Sequence, residues 1–246
     1  MPKILKVIDK SDNNVIDMGL LPNVGFRGII VGKSGTGKTN IIINWILNPT
    51  FGYDKIFKGD NIYIFSGSLD SDKKIQTLID AKDIPSENLF GEFSDDALNG
   101  LYDQLEEEFL MLSEEGATIN YPLVIIDDMS FSGGLHKGLY NALARFYCNC
   151  RKLAISVITT TQYYNQILPS VRENISFAIF FNTSFKQLEG IESEHNYLDN
   201  KKTFTKMFRD NVKGRKFLAV VYDNEEQDIY LNSDFEPIKL ILGKSV

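Results

Sequence analysis

The chain has 246 residues, 43% hydrophobic and 24% charged, which suits a globular protein able to bury a sizeable core without disulfide or metal staples. Its formal charge of −7 argues against a generic nucleic-acid binder. No apolar run reaches membrane-spanning length and the N-terminus carries no signal-peptide core, so a soluble protein of a reducing compartment with no membrane partner is expected.

The first stretch, "ILKVIDKSDNNVIDMGLL", reads as two short strands around a polar turn at Lys10–Asn14. Next comes "FRGIIVGKSGTGKTNIIINWIL": a β-branched strand at Gly28–Val31, a glycine-rich loop, and an apolar helix over Lys38–Leu47 that Asn48-Pro49 ends. "NIYIFSG" is a second strand, Asn61–Ser66. "DDALNGLYDQLEEEFLMLSEE" sets Leu98, Leu101, Tyr102, Leu105, Phe109 and Leu112 at helical spacing, with its acids outward. "YPLVIIDDMS" is a third strand, apolar until two Asp, and "GLHKGLYNALARFYCNCRK" a helix with Leu135, Leu139, Leu143 and Phe146 on one side. Cys148 and Cys150 point to different faces of that helix and read as reduced thiols. With His136 and His195 distant, they make no metal ligand set. "LAISVITTTQ" and "ISFAIFFNT" are the fourth and fifth strands, and "KFLAVVYDNEEQDIYLN" is a closing hairpin turned at Asn224–Gln227. Apolar strands alternating with helices predict an α/β fold with a mostly parallel sheet covered by helices. The chain reads as one domain: an N-terminal strand extension (1–24), a core (25–183), and a C-terminal basic segment with the hairpin (184–246). Gly116 and Gly133-Gly134 mark loops within it.

"GKSGTGKT" matches the phosphate-loop pattern in full and in context, after a strand and before a helix. The backbone of Gly32, Lys33, Ser34, Gly35, Thr36 and Gly37 would curl around phosphates, Lys38 would neutralise the β and γ groups, and the Thr39 hydroxyl would bind Mg²⁺. A nucleoside triphosphate with Mg²⁺ is therefore the expected ligand, which the resemblance given below narrows to ATP. "LVIIDD" sets Asp127 and Asp128 at the C-terminal end of a buried strand, where ligands bind in open α/β sheets. Asp127 would hold Mg²⁺ through water. Asp128 would orient and deprotonate a water aimed at the γ-phosphate; the competing reading is a cap on the turn into "MSFSGG". A GTPase is disfavoured because the nearest base-reading string, "NKKT" at Asn200–Thr203, lacks its Asp, and no Arg-rich lid supports a small-molecule kinase. Charge is uneven: from Asp83 to His136 there are 13 acids and no Lys or Arg, while "KKTFTKMFRDNVKGRK" carries seven basic residues and one acid. The basic stretch is either a solvated helix face and loop or a phosphate-contacting surface.

Together "GKSGTGKT", "LVIIDD", "CRKLAISVITTTQ" and "ILPSVRENI" resemble the FtsK–HerA superfamily of P-loop ATPases, and most the genome-packaging ATPases of poxviruses, giant DNA viruses and virophages. The resemblance covers roughly Gly25 to Thr183, and the pair Asp127-Asp128 departs from the Asp-Glu of many cellular relatives. It implies a RecA-like sheet in which "VITTTQ" is an additional strand between the phosphate-loop strand and the Asp-Asp strand. Gln162 would then sense the γ-phosphate or its water, with Thr160 or Thr161 in support; Thr159 and Thr161 share one face of the strand and Thr160 the other. It further implies a ring, usually a hexamer, in which a neighbour supplies an arginine finger. Arg151 and Arg172 are the candidates and Arg145 a weaker third, each with a surface salt bridge or helix-end charge as the plainer reading. The implied function is translocation of double-stranded DNA, packaging a viral genome, in the host cytoplasm or the virion, with capsid protein as a further partner. The Gly133-Gly134 turn and the basic stretch 201–216 are the candidate pore elements. The competing functions are a helicase or conjugation-type coupling ATPase, and an ATP-dependent assembly switch docking through the acidic tract.

Overall fold

A computed structural model of the protein describes residues 15–128, 140–198, 200–224 and 229–239. In chain order the elements are β1 (Arg27–Val31), α1 (Lys38–Leu47), β2 (Ile62–Ser66), α2 (Lys73–Lys82), β3 (Leu89–Phe90), α3 (Asp95–Glu115), β4 (Leu123–Asp127), α4 (Tyr140–Asn149), β5 (Ser156–Thr161), α5 (Pro169–Arg172), β6 (Phe177–Phe180), α6 (Phe185–His195), α7 (Lys201–Asn211), β7 (Leu218–Val221) and β8 (Tyr230–Leu231). One eight-stranded sheet runs β3-β2-β4-β5-β1-β6-β7-β8. Pairing is parallel from β3 to β6 and antiparallel for β6–β7 and β7–β8. The additional strand is where the resemblance implied: β5 pairs in parallel with β1 on one side and β4 on the other.

Strands buried on both faces build two apolar layers. Ile29 and Val31 of β1, Val124 and Ile126 of β4 and Val157 of β5 pack on one side with α3, α4, α6 and α7. Ile30, Ile125 and Ile158 point the other way, to Ile42, Trp45 and Ile46 of α1 and to Ile75 and Leu78 of α2. This two-residue alternation puts Asp127 and Thr160 on the α1 face, in step with Ile125 and Ile158. The long helix α3 begins where Ser94 accepts the Ala97 N–H, carries Asp95 and Asp96 in its first turn, and ends at Gly116 in the left-handed conformation. Leu98, Leu101, Tyr102 and Leu105 are its buried stripe. As the spacing predicted, Cys150 is buried and Cys148 exposed, both as free thiols.

Several expectations change. Val15–Leu21 forms no strand. Its backbone turns through Val24 N–H to Ile16 and Met18 N–H to the Asn23 side chain, and Ile16, Met18, Leu20 and Leu21 pack on the α1-side core rather than pairing at an edge. The polar turn at Lys10–Asn14, the Gly133-Gly134 loop and most of the hairpin turn at Asn224–Gln227 lie outside the described residues. The hairpin strands do pair, Ala219 with Leu231 and Val220 with Tyr230. Elements α2, β3, α5 and α6 have no counterpart in the sequence reading; the basic stretch does supply a helix, α7, but one that buries Phe204, Met207 and Phe208. Among the described residues no helix is long and apolar enough to cross a membrane.

One close approach fixes β1 against β6. Gly28 pairs with Phe177, whose buried ring folds over it; a Cβ there would sit 2.0 Å from the ring. Gly28→Ala is expected to lower stability by ~3 kcal/mol through overpacking, measured by urea unfolding, and a companion Phe177→Leu should recover part of the loss.

Candidate nucleotide site

The phosphate loop leaves β1 at its C-terminal end. The Gly32 N–H donates to the Thr161 carbonyl at 3.0 Å, so the loop starts tied to the tip of β5. Gly35 and Gly37 take φ of 75° and 112°, which only glycine adopts without strain. Gly32 is fixed by contact instead: a Cβ would meet the Thr36 hydroxyl at 2.6 Å and Phe181 at 2.8 Å. The Lys38 ammonium lies within this curl, donating to the Gly32 carbonyl at 2.8 Å and the Lys33 carbonyl at 3.3 Å. Burial pulls its pKa down, and Asp128 and Asp127 pull against that shift.

The acids stand across the cleft. Asp127 ends β4, is 4% exposed, and accepts the Thr160 hydroxyl at 2.6 Å. Burial raises its carboxyl above the usual range, while the Thr160 hydrogen bond works against the rise. Asp128 follows with φ 44°; its N–H donates to the Thr160 hydroxyl at 2.9 Å. Its carboxylate accepts the Gln162 amide, Nε2 lying 3.3 and 3.2 Å from the two oxygens. Asp128 and Gln162 are thus in contact, as a base and its orienting partner would be. The reading of Asp128 as a turn cap concerns residues outside those described.

The three threonines of β5 separate. Thr159 shares a hydrogen bond with the Tyr147 hydroxyl at 2.9 Å on the α4 side; the Tyr147 proton goes to the Gly28 carbonyl, so Thr159 donates. Thr161 turns onto its own backbone, accepting the Tyr163 N–H at 3.2 Å. Only Thr160 bonds to the acids, so support from Thr161 is set aside. A cleft of about 150 Å³ is lined by Ser34, Gly35, Gly37, Lys38, Thr39, Asp127 and Asp128, and also by Ser68, Asp72 and Lys74 from the β2–α2 loop. Sequence reasoning missed these last three. The available signal was that "SGSLDSDKK" follows a strand of a parallel sheet, where ligands gather. Asp72 also caps α2, accepting the Lys74 N–H at 2.8 Å.

The site suits Mg²⁺ with a nucleotide. Among the described residues no group of three His, Cys, Asp or Glu side chains could cage a metal. An ion held by phosphates, water and one or two protein groups needs none. Thr39 and Asp127 line one cleft, and positive charge there would offset the burial of Asp127.

The candidate arginines lie elsewhere. Arg151 is exposed in the turn before β5, at the opposite edge of the sheet from Gln162; the six residues of β5 span ~20 Å. Arg172 is 12% exposed, paired with Glu194 and stacked 4.9 Å over the Tyr164 ring. Arg145 pairs with Asp103 at 2.7 Å and Glu106 at 3.3 Å and covers Tyr102.

Arg172 belongs to a buried network behind the segment that leaves β5. The Tyr164 hydroxyl donates to Glu194 at 2.6 Å and meets His195 Nε2 at 2.7 Å, while the Tyr222 hydroxyl meets His195 Nδ1. With the Tyr164 proton committed to Glu194, His195 donates from Nε2 and accepts from Tyr222, which is the neutral imidazole. Burial first, then Arg172, pulls its pKa down to about 3.

The fold and the loop define a P-loop ATPase with an additional strand beside the phosphate-loop strand. The profile of the poxvirus A32 protein family matches residues 95–237, more than half of the chain, and the chain belongs to that family. The match begins after the phosphate loop, so the loop is separate testimony. No curated protein matches the sequence. Among solved structures, the genome packaging NTPase B204 from Sulfolobus turreted icosahedral virus 2 in complex with AMPPCP is similar, with a TM-score of 0.58 at 17% identity over 87% of this chain and 98% of B204. EssC (ATPases 2 and 3) from Geobacillus thermodenitrificans has a TM-score of 0.57 at 15% identity over 89% of this chain and 44% of its own. The type VII secretion ATPase EccC of Thermomonospora curvata has 0.55 at 9% identity over 87% and 25%. At these identities the likeness is one of fold.

The His195 pKa makes stability depend on pH. Between about 3 and the unfolded value of 6.5, the unfolded chain binds one more proton than the folded one, so stability falls as pH falls through that window. Replacing His195 by Gln should remove this contribution: the stability difference between wild type and variant is expected to change by about 2 kcal/mol from pH 7.5 to pH 5, read by denaturant unfolding, and to stay flat above pH 7.5.

Proposed function

We propose that the chain is an ATP-hydrolysing motor that translocates double-stranded DNA and packages a viral genome, working as a homo-oligomeric ring, most simply a hexamer. The observation that carries this reading is the contact of Gln162 with Asp128 across the cleft from Lys38. It joins the end of the additional strand to the acid at the end of β4, as γ-phosphate sensing requires. Family membership and the fold shared with a genome packaging NTPase support the DNA assignment.

In this mechanism the N–H groups of residues 32–37 bind the phosphates of ATP, and Lys38 exchanges its loop carbonyls for phosphate oxygens. Mg²⁺, when bound at Thr39 and Asp127, neutralises charge on the phosphates. Asp128 accepts the proton of the attacking water at a carboxylate oxygen, and Gln162 holds that carboxylate and the water in line. When the γ-phosphate departs, Gln162 loses its partner, and the segment Tyr163–Arg172 passes the change to α6 and towards the ring's centre. A neighbour's arginine completes the site. Arg172 is held by Glu194 and the Tyr164 ring, and Arg151 lies before β5, at the opposite end of that strand from Gln162, so Arg151 is the candidate placed to reach a neighbouring subunit's site. The core is assigned to 25–183, with 184–246 carrying the DNA-facing charges and 1–24 an extension. Phosphate contacts without base reading suit a motor that moves any sequence. Lys201, Lys202 and Lys206 are exposed on α7, while Arg209 stacks 4.6 Å over the Phe185 ring. Expected sites of action are the host cytoplasm and the virion, with capsid protein as a further partner.

Turnover of ATP with and without double-stranded DNA tests the reading. Lys38→Ala and Asp128→Asn should each lower turnover by ~100-fold or more, Gln162→Ala should abolish its stimulation by DNA, and Arg151→Ala should cost ~1,000-fold in the assembled ring. Neutralising Lys201, Lys202 and Lys206 should weaken the stimulation and flatten its salt dependence. Stimulation by single strands alone would indicate a helicase, and ATP-dependent capsid binding without any DNA effect an assembly switch.

A further inference from the structure

The sheet opens at one point. Pairing of β2 with β4 continues to Ser66 opposite Asp127, and pairing of β1 with β5 to Val31 opposite Thr161. Between β4 and β5 it stops earlier, at Ile126 opposite Thr159. Beyond that pair the Thr160 side chain bridges the strand tips. The Thr160 hydroxyl accepts the Asp128 N–H at 2.9 Å and donates to Asp127 Oδ1 at 2.6 Å.

The direction of these bonds is fixed. A backbone N–H can only donate, so the Thr160 oxygen accepts from Asp128, and its single proton is left for Asp127. Asp127 must then be an acceptor at that oxygen, which favours its ionised form against the burial that opposes it. At Asp128 the same hydroxyl holds the amide of a residue whose φ is 44°, a conformation that side chains other than glycine enter rarely. Two residues on, Gln162 grips the Asp128 carboxylate. Asp128 is thus held at both its backbone and its carboxylate by the tip of β5.

We propose that Thr160 is a positioning residue that locks Asp127 and Asp128 to the tip of β5 as one unit, so that the sensing strand sets the placement of both acids. This rests on the hydrolytic reading of the site and adds to it. Gln162 need not signal alone, because any shift of β5 moves the acids with it.

The test compares Thr160→Val, which keeps the shape and removes both bonds, with Thr160→Ser, which keeps the hydroxyl. Thr160→Val should lower kcat ~30-fold while affinity for Mg-ATPγS stays within about threefold, because only placement of the acids is lost. Thr160→Ser should restore kcat to near wild type. Amide exchange at Asp128, followed by NMR, reads the clamp without turnover: slow in wild type and Thr160→Ser, at least tenfold faster in Thr160→Val. Wild-type kcat in Thr160→Val, an Asp128 amide equally slow in it, or no rescue by Ser would each overturn the proposal. A wild type that turns over ATP no faster than Lys38→Ala would sink the hydrolytic reading instead, and the amide would still decide the clamp.

Discussion

The parallel pairing of β5 with β1 on one side and β4 on the other is what the rest of the site depends on. It brings the phosphate loop, the acids and Gln162 to one edge of one sheet, because parallel strands share the edge at which they end. The alternation along β5 then sorts its side chains. Val157 and Thr159 face α4, and Ile158 and Thr160 face α1. The Gly32 N–H to the Thr161 carbonyl ties the loop to the same tip. A one-residue slip of β5 would turn Thr160 away from Asp127 and leave the acids without a partner on that strand.

The cleft collects charges that would be costly to bury singly. Lys38 and Asp127 are each nearly inaccessible, and burial opposes the charged form of both. The loop carbonyls, the Thr160 hydroxyl and the opposing charges compensate in part. Such a site would gain from a ligand carrying both signs, as Mg-ATP would. Its walls are supported by apolar contacts: Phe181 under Gly32 on one side, and Tyr147 binding both the Gly28 carbonyl and Thr159 on the other.

Much of this was legible in the sequence, for identifiable reasons. The phosphate loop is a local motif with a unique backbone requirement. The strands β1, β4 and β5 are apolar on both faces and end abruptly in polar residues, so their ends stand out. The helix α3 has a regular stripe and a capping serine, and its limits agree with its periodicity. What was missed lacks such contrast. The stripe of α2 is only Ile75 and Leu78 among polar residues, and β3 is two residues long. The bridging role of Thr160 depends on where the β4–β5 ladder stops, which is a matter of tertiary register. Ser68, Asp72 and Lys74 join the cleft only because β2 lies next to β4. The basic stretch 201–216 looked like surface, yet one face of α7 is core, since Phe204, Met207 and Phe208 recur at helical spacing.

If the tip of β5 senses the γ-phosphate, its backbone should respond to that phosphate and not merely to nucleotide. Hydrogen exchange over residues 157–163 and 125–128 measures this directly, comparing the protein alone, with Mg-ADP, and with a non-hydrolysable ATP analogue. The expected result is slower exchange in both segments with the analogue than with ADP. Equal protection by the two nucleotides, with the phosphate loop itself protected, would contradict a sensing role for this strand.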